Sequence, residues 1–206
     1  LLSWAYKYKG DCVVMGGGMS LDYYNDNMWN GKFVIGVNQS YRKHKPDLLV
    51  RKERVEPQEF PVFASKYAHG DRGHDRNQPG PGITLFDHNN NTGKGQIDTT
   101  GCHPAGSKVI VAGSTITSAI HIAAIMGFNT IYLAGHDLCK VNGETNFKGY
   151  YDDVLAFYEN DGYTKWLGSV AWQTRFVARY IEDLYGANVV SLSPFFGLKT
   201  DEANLD

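Results

Sequence analysis

Between residues 113 and 137 the chain reads GSTITSAIHIAAIMGFNTIYLAGHD, and two groups of side chains in it are of types that do chemistry. Ser114, Thr115, Thr117 and Ser118 gather four hydroxyls where an amphipathic helix begins. One or two hydroxyls suffice to cap the N–H groups of a helix start. Four of them, together with those N–H groups and the positive end of the helix dipole, also suit a phosphate or carboxylate, with Thr117 or Ser118 in contact. His136 and Asp137 follow the next apolar run. A histidine of near-neutral pKa suits a base that takes a proton from an acceptor hydroxyl, or a hydrogen-bonded prop behind a site. Asp137 suits a hydroxyl acceptor, a Mg2+ ligand or a loop cap.

A third group lies near the amino end, where DCVVMGGGMSLDYY carries an apolar run, Cys12 to Met15, into Gly16, Gly17 and Gly18 and then Ser20. Three glycines let a backbone come close to a phosphate, and the chain can turn helical after Met19; a purely structural glycine turn is the other reading. The stretch fails GxGxxG, because Leu21 stands at the last glycine position, and no Gly-Lys-Ser/Thr follows. About 22 residues on, where a dinucleotide fold places an acid for the ribose, stands Asn38, followed by Gln39, which disfavours hydride transfer.

These residues sit at the ends of elements that the pattern predicts. Apolar runs at Cys12 to Met15, Phe33 to Val37, Asp47 to Arg51, Ile83 to Phe86, Thr130 to Ala134 and in ANVVSLS read as strands. Ile116, Ala119, Ile120, Ala123 and Ala124 follow the spacing of a helix with one buried face, stopped by Gly127. Val177, Tyr180, Ile181 and Leu184 mark a second helix, with Gly186 as its cap. Strands alternating with helices predict one α/β domain over residues 1–206, a Rossmann-like, open and mainly parallel sheet flanked by helices. In such a sheet ligands bind beyond the carboxyl ends of the strands, and Gly16 to Ser20, Asn38 to Tyr41, Ser114 to Ser118 and His136 to Asp137 all lie there.

Residues 66–108 differ in character. They hold eight of the 23 glycines and many His and Asn residues with little periodicity, which predicts an extended lid or insertion. His69, Asp71, His74, Asp75, His88, Cys102 and His103 within it match no tight metal signature, and a catalytic lid histidine or a solvated loop remain open. His121, one turn after Thr117, reads as a packed or capping histidine. Asp152, Asp153, Glu159 and Asp161 read as a polar connection or as metal-diphosphate ligands.

With 42% hydrophobic and 20% charged residues the chain can bury a core. A net charge of -2 gives no footprint for nucleic acid. The densest basic run, Arg42, Lys43, His44 and Lys45, with Arg51, Lys52 and Arg54 behind it, reads as a solvated face, a local phosphate clamp or a partner surface. Cys12, Cys102 and Cys139 lack paired spacing, no run is long enough to span a membrane, and the opening LLSWAYKYKGD lacks a signal-peptide layout. A cytoplasmic protein is the expectation. Trp4, Trp166 and Phe195 could serve a core or a homo-oligomer interface.

Four stretches, CVVMGGGMSL, FVIGVNQSY, TITSAIHIAAIMGFNTIYLAGHDL and ANVVSLSP, resemble in order and spacing the landmarks of a superfamily. It joins the bacterial family-42 sialyltransferases to the domain family of hydroxymethyl-dihydropterin diphosphokinase. The resemblance covers under half of the chain, and its third stretch is the specific one. It implies a Rossmann-like fold that binds a nucleotide or nucleotide-sugar. Gly16, Gly18 and Ser20 would lie in the nucleotide loop, Asn38 and Gln39 at the nucleotide or donor sugar, and Thr117 and Ser118 at the phosphate or donor carboxylate. Asp137 would match the aspartate after the strand. The chain departs from the sialyltransferases in having Thr115 in place of an arginine, Cys139 in place of a tyrosine, and no histidine after His136. The expectation is a nucleotide-dependent transferase of glycosyltransferase type, acting on a small or glycan acceptor. The alternatives are an ATP-dependent diphosphokinase of a pterin-like alcohol, which would require Mg2+, and a non-catalytic nucleotide-binding or assembly module.

Overall fold

The computed structural model describes residues 2–52, 58–67, 77–89, 96–150, 161–193 and 202–203. Its strands are β1 (Asp11–Met15), β2 (Phe33–Val37), β3 (Leu48–Arg51), β4 (Val62–Ser65), β5 (Ile83–His88), β6 (Lys108–Val109), β7 (Thr130–Ala134), the two-residue β8 (Lys140–Val141) and β9 (Asn188–Ser191). Eight of them form one open sheet in the order β6-β5-β4-β3-β2-β1-β7-β9, and every pairing in it is parallel. A final short strand, β10 (Glu202–Ala203), pairs with β8. The chain lays strands outward from β1 to β6, and helix α1 (Thr115–Met126) then carries it back to the far side of β1, where β7 begins. Order therefore reverses between β1 and β7, and the architecture is α/β and Rossmann-like.

Buried strands with apolar residues on both faces separate two cores. Cys12 and Val14 of β1 join Ile35, Leu48, Val50, Phe63, Ile131 and Leu133 in the larger one, beneath Ile116, Ile120 and Ala123 of α1 and Val177 and Ile181 of helix α2 (Asp161–Tyr185). Val13 and Met15 point the other way, into a smaller core with Leu21, Trp29, Val34, Ala134, Phe147 and Tyr150. Both α-helices thus serve one core. The smaller core is roofed by single turns of 3-10 helix, Met19–Tyr23 and Asp26–Trp29, and by the segment around Phe147 and Tyr150.

That roof corrects one expectation. The helix anticipated after Met19 is a five-residue 3-10 turn that ends at Tyr24 in extended backbone, because SLDYYNDN carries no apolar repeat to sustain a longer one. Elsewhere the strands expected from the sequence differ from the observed ones by two residues at most. The second helix is longer than its pattern indicates, and β4 is an additional strand. Within 66–108, β5 extends two residues further, to His88, and β6 forms the sheet edge. Among the described residues no helix is long and apolar enough to cross a membrane. The three cysteines are buried and free of disulfides.

Candidate functional site

The three glycines at the end of β1 meet the end of β7 directly. Gly16 N–H donates to the Ala134 carbonyl (2.8 Å) and Gly18 N–H to the Gly135 carbonyl (2.7 Å), so the β1–β7 ladder continues past both strands. A Cβ on Gly16 would run into the Gly135 carbonyl, and one on Gly18 into the Asp137 carboxylate. Asp137 is buried and both of its oxygens are engaged by one residue, accepting from the Ser20 N–H (2.8 Å) and the Ser20 hydroxyl (2.5 Å). Gly16, Gly18, Ser20 and Asp137 therefore form a single knot across the point where strand order reverses.

Gly17 is covered as well. Its carbonyl accepts from the Phe147 N–H (3.1 Å) and the Asn146 side-chain amide (2.9 Å), and the Tyr150 ring lies where a Cβ would project. The basic run holds this cover down. Arg42 donates to the carbonyls of Gly149 (3.3 Å) and Tyr150 (3.5 Å), while Asp22 bridges Lys43 (2.9 Å) and the Lys148 N–H (2.9 Å). The glycines are needed for close packing of the protein on itself. A five-residue 3-10 turn also lacks the aligned peptide dipoles that favour a phosphate at a longer helix.

The edge formed by β2 and α1 is built differently. Asn38 adopts φ 54°, a left-handed conformation that asparagine tolerates, and turns the chain from β2 into the 3-10 turn Asn38–Arg42. The amide oxygens Oδ1 of Asn38 and Oε1 of Gln39 are buried without a hydrogen-bond partner among the described residues. In α1, Ser114 is the N-cap and accepts from the Ile116 N–H (3.4 Å). Thr117 Oγ1 donates to the Ser114 carbonyl (2.7 Å) and accepts from the Ala112 N–H (3.2 Å), so it ties the loop before the helix. Ser118 is wholly buried and its Oγ has no partner among the described residues. Of the hydroxyls grouped in the sequence, two serve the cap and one is left unsatisfied. Lys52 Nζ donates to the Ala112 carbonyl (3.2 Å), which sets an ammonium beside the amino end of α1, where the first turn holds no acid.

Two polar residues on the buried side of α2 position this region, and sequence reasoning missed both. Gln173 accepts from the Gly113 N–H (2.5 Å), just before α1, and Thr174 Oγ1 lies 3.0 Å from His136 Nε2. Their signal was a Gln-Thr pair between Val170 and Val177, on the stripe that faces the core. Burial pushes His136 down to about 3, so the imidazole is neutral at physiological pH and a weak base. The buried ring beside Thr174 fits the hydrogen-bonded prop of the two readings. His121 is packed, as expected. Nδ1 accepts from the Ile110 N–H (3.0 Å), which leaves the proton on Nε2, 2.8 Å from Tyr185 Oη, and Tyr185 in turn donates to the Cys102 carbonyl (3.2 Å). Burial holds His121 near 3 also.

Of the lid candidates, His88 ends β5 with Nδ1 2.7 Å from the Asn89 carbonyl, and this bond makes Nε2 the unprotonated nitrogen of the neutral ring. His103 is exposed, and burial raises the Cys102 thiol to about 11. His69, Asp71, His74, Asp75, Arg54, Asp152, Asp153, Glu159 and Phe195 lie outside the described residues, as does the side chain of Asp161. Among the described residues no group of three His, Cys, Asp or Glu side chains is placed to hold a metal ion. Trp4 packs edge-on against Phe63 at 5.4 Å and so belongs to the core. No protein-family model, no curated protein and no solved structure matches the chain.

Proposed function

We propose that the chain binds a nucleotide or nucleotide-sugar at the edge formed by β2 and α1, and is a nucleotide-dependent transferase of glycosyltransferase type. One observation carries this reading: Asn38 Oδ1, Gln39 Oε1 and Ser118 Oγ are buried, and among the described residues unpartnered, at strand and helix ends where ligands bind in this architecture. A buried polar atom without a partner costs about 1–3 kcal/mol, and a ligand that completes its hydrogen bonds offsets that cost. Two amide oxygens call for donors, which ribose hydroxyls and the exocyclic amine of a base supply. At the α1 end, helix N–H groups, the Ser118 hydroxyl and the Lys52 ammonium suit the charge that develops on a leaving phosphate. Displacement at the donor's anomeric carbon then needs a base for the acceptor hydroxyl. His136 is too weak for that step.

A second reading, a nucleotide-binding module without chemistry, is favoured by the engagement of His136 and Asp137 in internal contacts. The diphosphokinase reading needs Mg2+ carboxylates. Asp137 is occupied by Ser20, and its natural partners Asp152 and Asp153 lie outside the described residues.

Calorimetric titration with CMP, UDP, GDP, AMP, ATP and CMP-sialic acid, each with and without Mg2+, tests these readings. The expected result is metal-independent binding of one nucleotide, weakened at least about tenfold in Gln39→Leu and Ser118→Ala. Binding only with Mg2+ moves the reading to diphosphoryl transfer, and binding without turnover over a panel of acceptors moves it to the module. Binding by none of the six, or equal binding by the variants, would overturn it.

A further inference from the structure

On the solvent side of α2, Lys165, Ser169, Trp172, Phe176, Arg179 and Asp183 repeat at spacings of four and three residues. At 100° per residue they fall within an arc of about 80°. Leu167, Val170, Thr174, Val177 and Ile181, all buried, occupy the opposite side. Spacings of four and three hold these residues on one face of the helix, polar toward both of its ends. Yet its two central residues are the large aromatics Trp172 and Phe176, 36% and 38% exposed. Phe176 is stacked on Tyr180, with ring centroids 6.4 Å apart, so the surface is preset rather than loose.

The order of charges identifies the occupant. Lys165 lies at one end of the seam and Asp183 at the other, with Trp172 and Phe176 symmetric about residue 174. When a second copy of the helix is laid antiparallel about that midpoint, Trp172 faces Phe176 of the copy and Lys165 faces its Asp183. Ser169, whose hydroxyl accepts from Gln173 of its own helix (3.2 Å), lies opposite Arg179 as a neutral neighbour, and twofold symmetry repeats each pair. A parallel copy would set Lys165, Arg179 and Asp183 each against its own like charge. The geometry points to a homodimer in which α2 pairs antiparallel with α2 of a second copy of this chain. Gln173 and Thr174, which position the α1 loop and His136, project from the same helix toward the core. The dimer seam therefore backs the candidate site, although the inference stands independently of what that site binds.

Sedimentation velocity of the full chain over a wide loading range tests the dimer, with circular dichroism of each variant to check that α2 is intact. A concentration-dependent dimer is expected for the parent. Trp172→Ala abolishes it, and Lys165→Glu and Asp183→Lys each weaken it at least about tenfold by opposing like charges. The double variant Lys165→Glu/Asp183→Lys recovers dimerisation, a rescue that a merely structural role for either residue does not give. A parent that stays monomeric, single variants that dimerise like the parent, or a double variant as weak as the singles would each overturn the proposal.

Discussion

Two neighbouring regions at the carboxyl edge of the sheet are opposites in how their polar groups are satisfied. At the junction of β1 and β7, Asp137 is matched by Ser20, the N–H groups of Gly16 and Gly18 by carbonyls, and the Gly17 carbonyl by Phe147 and Asn146. At the edge of β2 and α1, three buried polar atoms have no partner among the described residues. Strand reversal alone marks the first as the ligand crevice. The proposed reading takes the second instead, since buried polar groups are paired in most native structures and exceptions carry a reason. The glycine-rich loop therefore holds the protein closed on itself, while the adjacent strand end keeps buried polar atoms unpaired among the described residues.

The contrast breaks most sharply through the glycines. Gly18→Val drives its side chain into the Asp137 carboxylate and the Gly135 carbonyl, backbone and a pinned side chain that cannot yield. A loss of about 3 kcal/mol or more is expected, read from the urea midpoint, as for other overpacked or unpaired buried sites. If Gly18→Val were as stable as the parent, the junction would not be closed. Asp137→Asn comes next. It weakens two hydrogen bonds to Ser20 and turns an acceptor into a donor, at a cost of about 1.5–3 kcal/mol, while nucleotide binding by the folded fraction is unchanged. A selective loss of binding with stability intact would place Asp137 in the site instead.

Protonation sharpens the comparison from a third direction. His121 and His136 are both held near 3 by burial, against about 6.5 in an unfolded chain. Because their folded values are depressed, their contribution to stability is complete above pH 6.5 and is lost as pH falls toward 3. Each should remove about 1.4 kcal/mol per pH unit over the middle of that range. Urea midpoints measured from pH 7 to pH 4 should steepen accordingly, and His121→Gln should reduce the slope by about half. An unchanged slope in that variant would show that His121 is solvated in the folded chain.

The sheet is legible in the sequence where a strand is a bounded apolar run, and Thr130–Ala134 is read to the residue. β4 is not, because Val62–Ser65 is four residues long, follows a proline and shows no alternation. The first half of α2 is not either, since Gly162, Gly168 and Ser169 dilute a period that shows only once Val170, Thr174, Val177 and Ile181 are seen to share a side. Among the site residues, the importance of Gly16 to Gly18 is legible but its cause is not. The cause is Tyr150, Asp137 and Gly135, which reach the glycines only through the fold. The hydroxyl cluster at α1 is visible too, yet the division of labour between Thr117 and Ser118 depends on where Ala112 lies, and no local pattern encodes that.

Ser118→Ala has the smallest expected effect on stability and tells the two regions apart most cleanly. Deleting a satisfied buried hydroxyl leaves its partner unpaired and destabilises, whereas Ser118 Oγ has no partner among the described residues to strand. Its removal relieves a desolvated polar group at the cost of a void the size of one oxygen atom, so stability should be unchanged or rise by up to about 1 kcal/mol. Nucleotide affinity should fall in the same variant. Such opposed changes are the mark of a group kept for function at some expense of folding. Ser20→Ala, one hydroxyl at the closed junction, is the control and should do the reverse, losing about 1 kcal/mol with affinity retained. If Ser118→Ala instead destabilises as Ser20→Ala does, its hydroxyl has a partner within the protein, and the open edge at β2 and α1 is as complete as the junction beside it.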